Sequence, residues 1–178
     1  MLLEPAVATH LEKYFVLARG RFIDGDRALA AFFAITAIEE SAKVMILKGT
    51  FAVDTSDVER RRRSLEHGEK LSGAVINLLE QNPRFETWPR EWQDEVASWF
   101  DTTKLIRIKN DGIYLRFTKS GHVSTPEERI DVDQAALLVY MAGVAVAELN
   151  DYIEGLAPGW AGSILQAAEA FRAQFLKK

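Results

Sequence analysis

From Ala28 to Ile38 nearly every position is apolar, so a helix built there has no polar face to give to water and belongs at the centre of a bundle. The flanking segments carry the narrower stripes of helices packed on one side. Val7, Leu11, Tyr14 and Ala18 recur at helical spacing and predict a first helix from about Pro5 to Arg19, ended by Gly20 and the turn Asp24-Gly25-Asp26. The central helix then runs to Lys48, where Gly49 supplies a stop. A third helix starts near Ser56-Asp57, turns His67, Leu71, Ala74 and Leu78 to the core, and breaks at Asn82-Pro83. After Thr87-Trp88-Pro89 a short helix directs Trp92, Val96 and Trp99 or Phe100 inward.

Beyond that helix the period changes. Ile113, Leu115 and Phe117 alternate with Tyr114, Arg116 and Thr118, ahead of the turn Lys119-Ser120-Gly121-His122. This is the pattern of a short β-hairpin near residues 113–124. Thr125-Pro126-Glu127-Glu128 is a helix-start signal, and a long helix follows from about Asp133 to Ile153. Pro158-Gly159 breaks it, and a final amphipathic helix covers about Ala161 to Leu176. Together these elements make an all-α helical bundle with one short β-hairpin insert, read as a single domain over residues 1–178.

One group of charges contradicts the apolar pattern. Glu39-Glu40-Ser41-Ala42-Lys43 interrupts the central helix, with Glu39 on the stripe of Phe32, Ile35, Ala42 and Ile46, and Glu40 on that of Phe33, Thr36, Lys43 and Leu47. Neither carboxylate can simply turn to water. A buried carboxylate is costly enough that it pairs or neutralises, so cations or backbone donors are expected beside both. On the third helix Arg63, His67 and Lys70 share one face, and His67 and Lys70 could reach Glu39 or Glu40 if that helix packs antiparallel to the second. Such a cluster reads in two ways. It is a buried ion network that fixes helix register, or a site in which crowded carboxylates, a histidine and lysines alter one another's proton affinity.

Composition narrows the function classes. The chain has 178 residues, 48% of them hydrophobic, and no cysteine, which removes disulfides and thiolate metal sites. No stretch is read as long enough for a membrane span, because charges or glycines interrupt Ala28 to Leu47 and Ala135 to Leu149. The start Met1-Leu2-Leu3-Glu4-Pro5 lacks the basic region of a signal peptide, so a soluble cytoplasmic protein is expected. A net charge of -4 argues against broad electrostatic binding of nucleic acid, but not against a local basic site. Two such clusters exist: Arg60 to Arg63, and Lys104, Arg107, Lys109, Arg116 and Lys119, opposed within that segment by Asp111.

Several chemistries have no counterpart here. The paired Glu-x-x-His units of a di-metal bundle, a Walker loop, a dinucleotide glycine pattern, a zincin motif and a nucleophile elbow are all missing from the sequence. No cofactor or metal is therefore expected. His10 and His122 read as surface or satisfied residues, and Trp88, Trp92 and Trp99 as core or interface anchors rather than a base-stacking platform.

Taken in order, Glu39-Glu40-x-x-Lys43, His67-x-x-Lys70-Leu71 and Ile108-Lys109-Asn110-Asp111-Gly112-Ile113-Tyr114-Leu115 resemble the AbiV family of abortive-infection proteins, a branch of the helical HEPN superfamily. The resemblance spans most of the chain, from the first helix through the hairpin. It implies bacterial defence against phage, in which an infected cell shuts down its own metabolism before progeny are released. The superfamily's usual chemistry is metal-independent RNA cleavage by Arg-Asn-x-x-x-His, often at a homodimer interface. Lys109 to Tyr114 aligns with that pattern, with Lys for Arg and Tyr for His. Lysine keeps a phosphate-binding charge but loses the bidentate fork, and a phenol, ionising near pH ~10, is a weak general base.

Two functions follow from the resemblance. One is a toxin-like ribonuclease acting on RNA or tRNA, with His67 or Tyr114 as base, Lys70 and Lys109 on the scissile phosphate, and Asn110 beside them. The other is a non-catalytic effector that binds a phage or host component and blocks translation, its polar cluster serving only the fold. The basic segment predicts that Lys109, Asn110 and Tyr114 face one groove with the Glu39 cluster. A homodimer is implied as well, and Trp88, Trp92, Trp99 and Phe100, with Trp160, Ile164, Phe171 and Phe175, read as surplus apolar surface for it.

Overall fold

A computed structural model describes residues 5–48, 85–99, 102–117 and 121–176. The expected third helix, with Arg63, His67, Lys70 and Leu71, lies outside these described residues, as do Gly49 and Phe100. Helices dominate what is described: α1 (Pro5–Ile23), α2 (Arg27–Lys48), α3 (Arg90–Ser98), α4 (Thr102–Asp111), the short α5 (Pro126–Arg129), α6 (Val132–Ala147) and α7 (Trp160–Phe175). Two 3-10 turns, Phe85–Thr87 and Glu148–Asp151, and strands β1 (Arg116–Phe117) and β2 (Val123–Ser124) complete them.

The layout follows from two helices that are apolar all round. α2 packs against α1, α4 and α6, while α6 packs against α1, α2 and α7, and every residue of α6 from Ala135 to Ala147 is buried. Alanines at 28, 30, 31, 34 and 37 keep α2 slim where its neighbours close on it. α1 buries Ala8, Leu11, Phe15, Ala18 and Phe22, with Val7 and Tyr14 only half-buried beside that stripe. It also runs past Gly20 to Ile23, because Phe22 packs edge-on against Phe171 and Phe175 of α7 at ring distances of 5.2 and 5.1 Å.

Helix starts use the expected polar residues. The Asp26 carboxylate accepts from the Leu29 amide at 3.0 Å, and Asp131 accepts from the Asp133 and Gln134 amides at 2.9 and 3.1 Å. The Thr125 amide donates to the Glu128 carboxylate at 2.9 Å, and that backbone bond, ahead of other contacts, holds the Glu128 carboxyl below its ordinary value.

Four expectations are corrected. The stretch Val132–Asp151, with mean hydropathy 1.5, is long and apolar enough to cross a membrane by composition, since the single Gly143 does not interrupt it. It is a core helix here, with 78% of its apolar window buried inside the protein. α4 was not anticipated, and it takes the first part of the basic segment, to which no element had been assigned. The hairpin exists but is minimal, pairing Arg116 with Ser124 and Phe117 with Val123, and Ile113 and Leu115 are exposed rather than alternating inward. The aromatic surplus also disappears into one chain: Trp88, Trp92, Trp99, Ile164 and Phe171 are buried, and the Trp160 indole donates to Glu12 at 2.8 Å.

Glu95 joins α3 to its neighbours. Its carboxylate accepts from Lys104 on α4 at 2.9 Å, from the Trp99 indole at 3.1 Å and from Gln134 on α6 at 3.1 Å. Burial works to raise its proton affinity, but these hydrogen bonds and the Lys104 charge outweigh burial and leave the group below its ordinary value.

Two predictions follow from this packing. A Cβ at Gly143 would lie 2.6 Å from the Ala168 Cβ and 2.8 Å from the Phe15 ring, whereas one at Gly20 would meet nothing within 4 Å. Gly143→Ala should lower unfolding free energy by about 1–3 kcal/mol. Gly20→Ala should raise it by about 0.5–1 kcal/mol, both read by urea denaturation. Because the folded Glu95 carboxyl is the more acidic, its contribution is complete above the unfolded value and is lost as pH falls through the folded one. The stability gap between the wild type and Glu95→Gln should therefore be full at neutral pH and close as pH falls through and below the ordinary carboxylate range.

Candidate functional site

Glu39 sits in the third quarter of α2, its side chain 2% exposed, and the structure gives it a cation from α4. The Lys109 ammonium lies 2.7 Å from the Glu39 carboxylate, with the Lys109 side chain 19% exposed and its head 5.8 Å from the Phe32 ring centre. Phe32 precedes Glu39 by two helical turns on the same stripe, so one face of α2 supplies both the carboxylate and the aromatic ring. Glu40, one residue on, is half-buried. It pairs with Lys43 at 3.3 Å along its own helix.

The end of α4 can lie this close to α2 because Gly112 has no side chain. A Cβ there would stand 2.7 Å from the Ala28 carbonyl oxygen and 3.2 Å from the Phe32 Cβ. The Gly112 amide donates back to Ile108 at 3.0 Å, and the Tyr114 amide to Asn110 at 3.0 Å, so the helix unwinds into a tight turn.

Asp111 and Arg129 hold that turn from the other side. The Asp111 carboxylate faces Arg116 at 2.8 Å and Arg129 at 3.3 Å. The Arg129 guanidinium, 11% exposed, donates to the carbonyls of Asp111 at 3.0 Å, Ser124 at 2.7 Å and Tyr114. One arginine thus clamps the α4 terminus to the hairpin. Sequence reading missed Arg129 because its partners are backbone carbonyls, which leave no signature in side-chain spacing. Within the basic segment Arg116 pairs with Asp111, while Lys104 and Lys109 find their carboxylates outside it, at Glu95 and Glu39.

Of the residues expected to act, the structure brings Glu39 and Lys109 together and places Glu40 and Lys43 beside them. Asn110 and Tyr114 are exposed, Tyr114 by 62%, with Ile113 and Leu115 exposed on either side of it. Lys109 is drawn to the buried Glu39 carboxylate, whereas Asn110 and Tyr114 are exposed. Among the described residues no group of His, Cys, Asp and Glu could hold a metal ion.

The HEPN family model described as AbiV matches residues 7–147, a span that includes α2, α4 and the turn between α4 and the hairpin. Among curated proteins and among solved structures, nothing matches the chain.

Lys109→Ala should destabilise the fold by about 3–5 kcal/mol, because it removes the cation 2.7 Å from a carboxylate whose side chain is 2% exposed. The double variant Glu39→Gln with Lys109→Met should recover a large part of that loss. A denaturation cycle over the four proteins measures the coupling, and additive losses would show that the pair does not interact.

Proposed function

The chain belongs to the AbiV family of HEPN-like proteins, and from that premise we propose that it is an abortive-infection effector that arrests host translation or RNA metabolism during phage infection. The observation that carries this reading is the Lys109–Glu39 contact, which closes two motif segments 70 positions apart on each other. Between them they fix the turn from Asn110 to Leu115 and present it to solvent.

The turn is the working surface in this reading. Lys109 has its charge committed to Glu39, so its part is to position the turn. Asn110 and Tyr114 are the exposed polar groups that meet the target, with Ile113 and Leu115 adding apolar contact. This geometry supports target binding by the turn more directly than phosphate cleavage by Lys109. Cleavage would depend on His67 as base and Lys70 as phosphate ligand, with Tyr114 as the other candidate base, and the first two lie outside the described residues. We place the protein in the cytoplasm, where its target is, and as a homodimer on the strength of the family resemblance.

The test combines a cellular and a chemical measurement. Cells expressing the wild type should stop growing on phage infection and release few progeny, while cells expressing Asn110→Ala with Tyr114→Ala, at equal protein level, should lyse normally. Protection that survives the double substitution would contradict the assignment of the turn. Purified protein incubated with total RNA or tRNA in EDTA should leave it intact. Degradation abolished by His67→Ala or Tyr114→Phe would replace the binding reading with the ribonuclease one.

A further inference from the structure

α4 has an inner and an outer face. Leu105 and Ile108 are buried, while Thr103, Arg107 and Asn110 are exposed on the opposite side of the helix. Arg107 and Asn110 stand three positions apart, and the Tyr114 amide donates to the Asn110 carbonyl at 3.0 Å, so Arg107, Asn110 and Tyr114 follow one line from the helix into the turn. Arg107 makes no ion pair or hydrogen bond among the described residues. Its neighbours differ, for Lys104, Lys109, Arg116 and Arg129 are each held by a carboxylate. Asp111 serves both Arg116 and Arg129, which leaves one positive charge over in that group. Apolar surface gathers here as well. Among the described residues eight large apolar side chains are exposed, and four of them, Ile113, Tyr114, Leu115 and Val123, belong to the turn and its hairpin.

We infer that this surface docks an acidic amphipathic segment of another protein, its carboxylate on the Arg107 guanidinium and its apolar side chains against Ile113, Tyr114 and Leu115. The inference rests on the turn being the target-binding surface and names the chemistry of that target. Charge complementarity selects the occupant. A guanidinium without a partner of its own accepts a carboxylate as a bidentate pair and gives up no earlier contact to do so. Three consecutive exposed apolar side chains beside it match the aliphatic and aromatic groups that anchor protein contacts. RNA fits less well. Its backbone brings a charge with every nucleotide, and one free cation among aliphatic side chains neither neutralises several phosphates nor offers a platform for successive bases. A lipid surface also fits less well, because the Asn110 amide calls for directional partners that a peptide backbone supplies and acyl chains do not.

Panning a random dodecapeptide library on the full chain tests this directly. Selected peptides should carry Asp or Glu beside Leu, Ile or Phe, and their affinity, read by fluorescence anisotropy, should fall about tenfold or more in Arg107→Glu and in Leu115→Ser. Arg107→Lys should keep part of the binding, since the charge stays while the fork is lost, and added salt should weaken it. Both residues are exposed, so the variants should melt with the wild type. Should Leu115→Ser melt early, the two Arg107 variants carry the comparison. The inference is overturned if no peptide is selected, if the selected peptides lack acidic residues, or if Arg107→Glu binds them as tightly as the wild type. Displacement of the peptides by a mixed-sequence RNA oligonucleotide or by phosphatidylglycerol vesicles would also overturn it, giving the surface to nucleic acid or to lipid. The phage assay fails separately: acidic peptides selected by a chain whose protection survives Asn110→Ala with Tyr114→Ala would contradict the defensive role of the turn and uphold the docking surface.

Discussion

A carboxylate placed in the central helix of an alanine-rich bundle constrains everything packed around it. Removing an ionised group from water costs several kcal/mol or more even after relaxation, and that cost must be offset by hydrogen-bond donors or by a cation held at close range with good geometry. Glu39 meets the condition through Lys109 at 2.7 Å, and the consequence is geometric. α4 must end where its last turn can deliver that ammonium, so the chain leaving α4 emerges at a fixed place on the surface of α2. Gly112 permits the approach, the Phe32 ring lies by the ammonium, and Arg129 fastens the emerging segment to the hairpin.

Seen this way, the buried pair and the exposed turn are two ends of one device. The interior end is rigid, since Glu39 lies on a helix buried on nearly every side. The exterior end carries Asn110, Ile113, Tyr114 and Leu115, groups with little to do for the fold and much to offer a partner. An ion pair is a poor source of net stability compared with apolar packing, so its value here lies in register: it accepts one placement of α4 along α2 and rejects slipped ones.

Much of the fold was legible from spacing alone. The all-round apolar run of α2, the caps at Asp26 and Thr125, the start of α7 after Pro158-Gly159 and the inward Trp92, Val96 and Trp99 are all local signals, and each reappears in the structure, although α6 ends at Ala147, short of the Ile153 expected. α4 was missed because Thr102, Thr103, Ile106 and Ile108 are β-branched and disfavour a helix, while among its described apolar residues Leu105 and Ile108, three apart, are the ones fully buried. The partial reading of the site has a similar cause. Neighbouring helical positions point about 100° apart, so Glu39 and Glu40 cannot both face α4, and spacing could not say which would. One partner of Glu39, Lys109, stands 70 positions away, beyond the reach of local spacing, and the third-helix partners expected for it lie outside the described residues. Arg129, bound to carbonyl oxygens, was invisible to any pattern of side chains.

Amide hydrogen exchange on the wild type and on Glu39→Gln with Lys109→Met tests the central claim most directly, because it reads the turn and the core separately. If the buried pair positions the turn, the double variant should exchange faster at Gly112, Ile113 and Tyr114, whose amides close the end of α4, while α6 from Ala135 to Ala147 keeps its protection. Unchanged exchange at those three amides, or an equal loss of protection across α6, would contradict it.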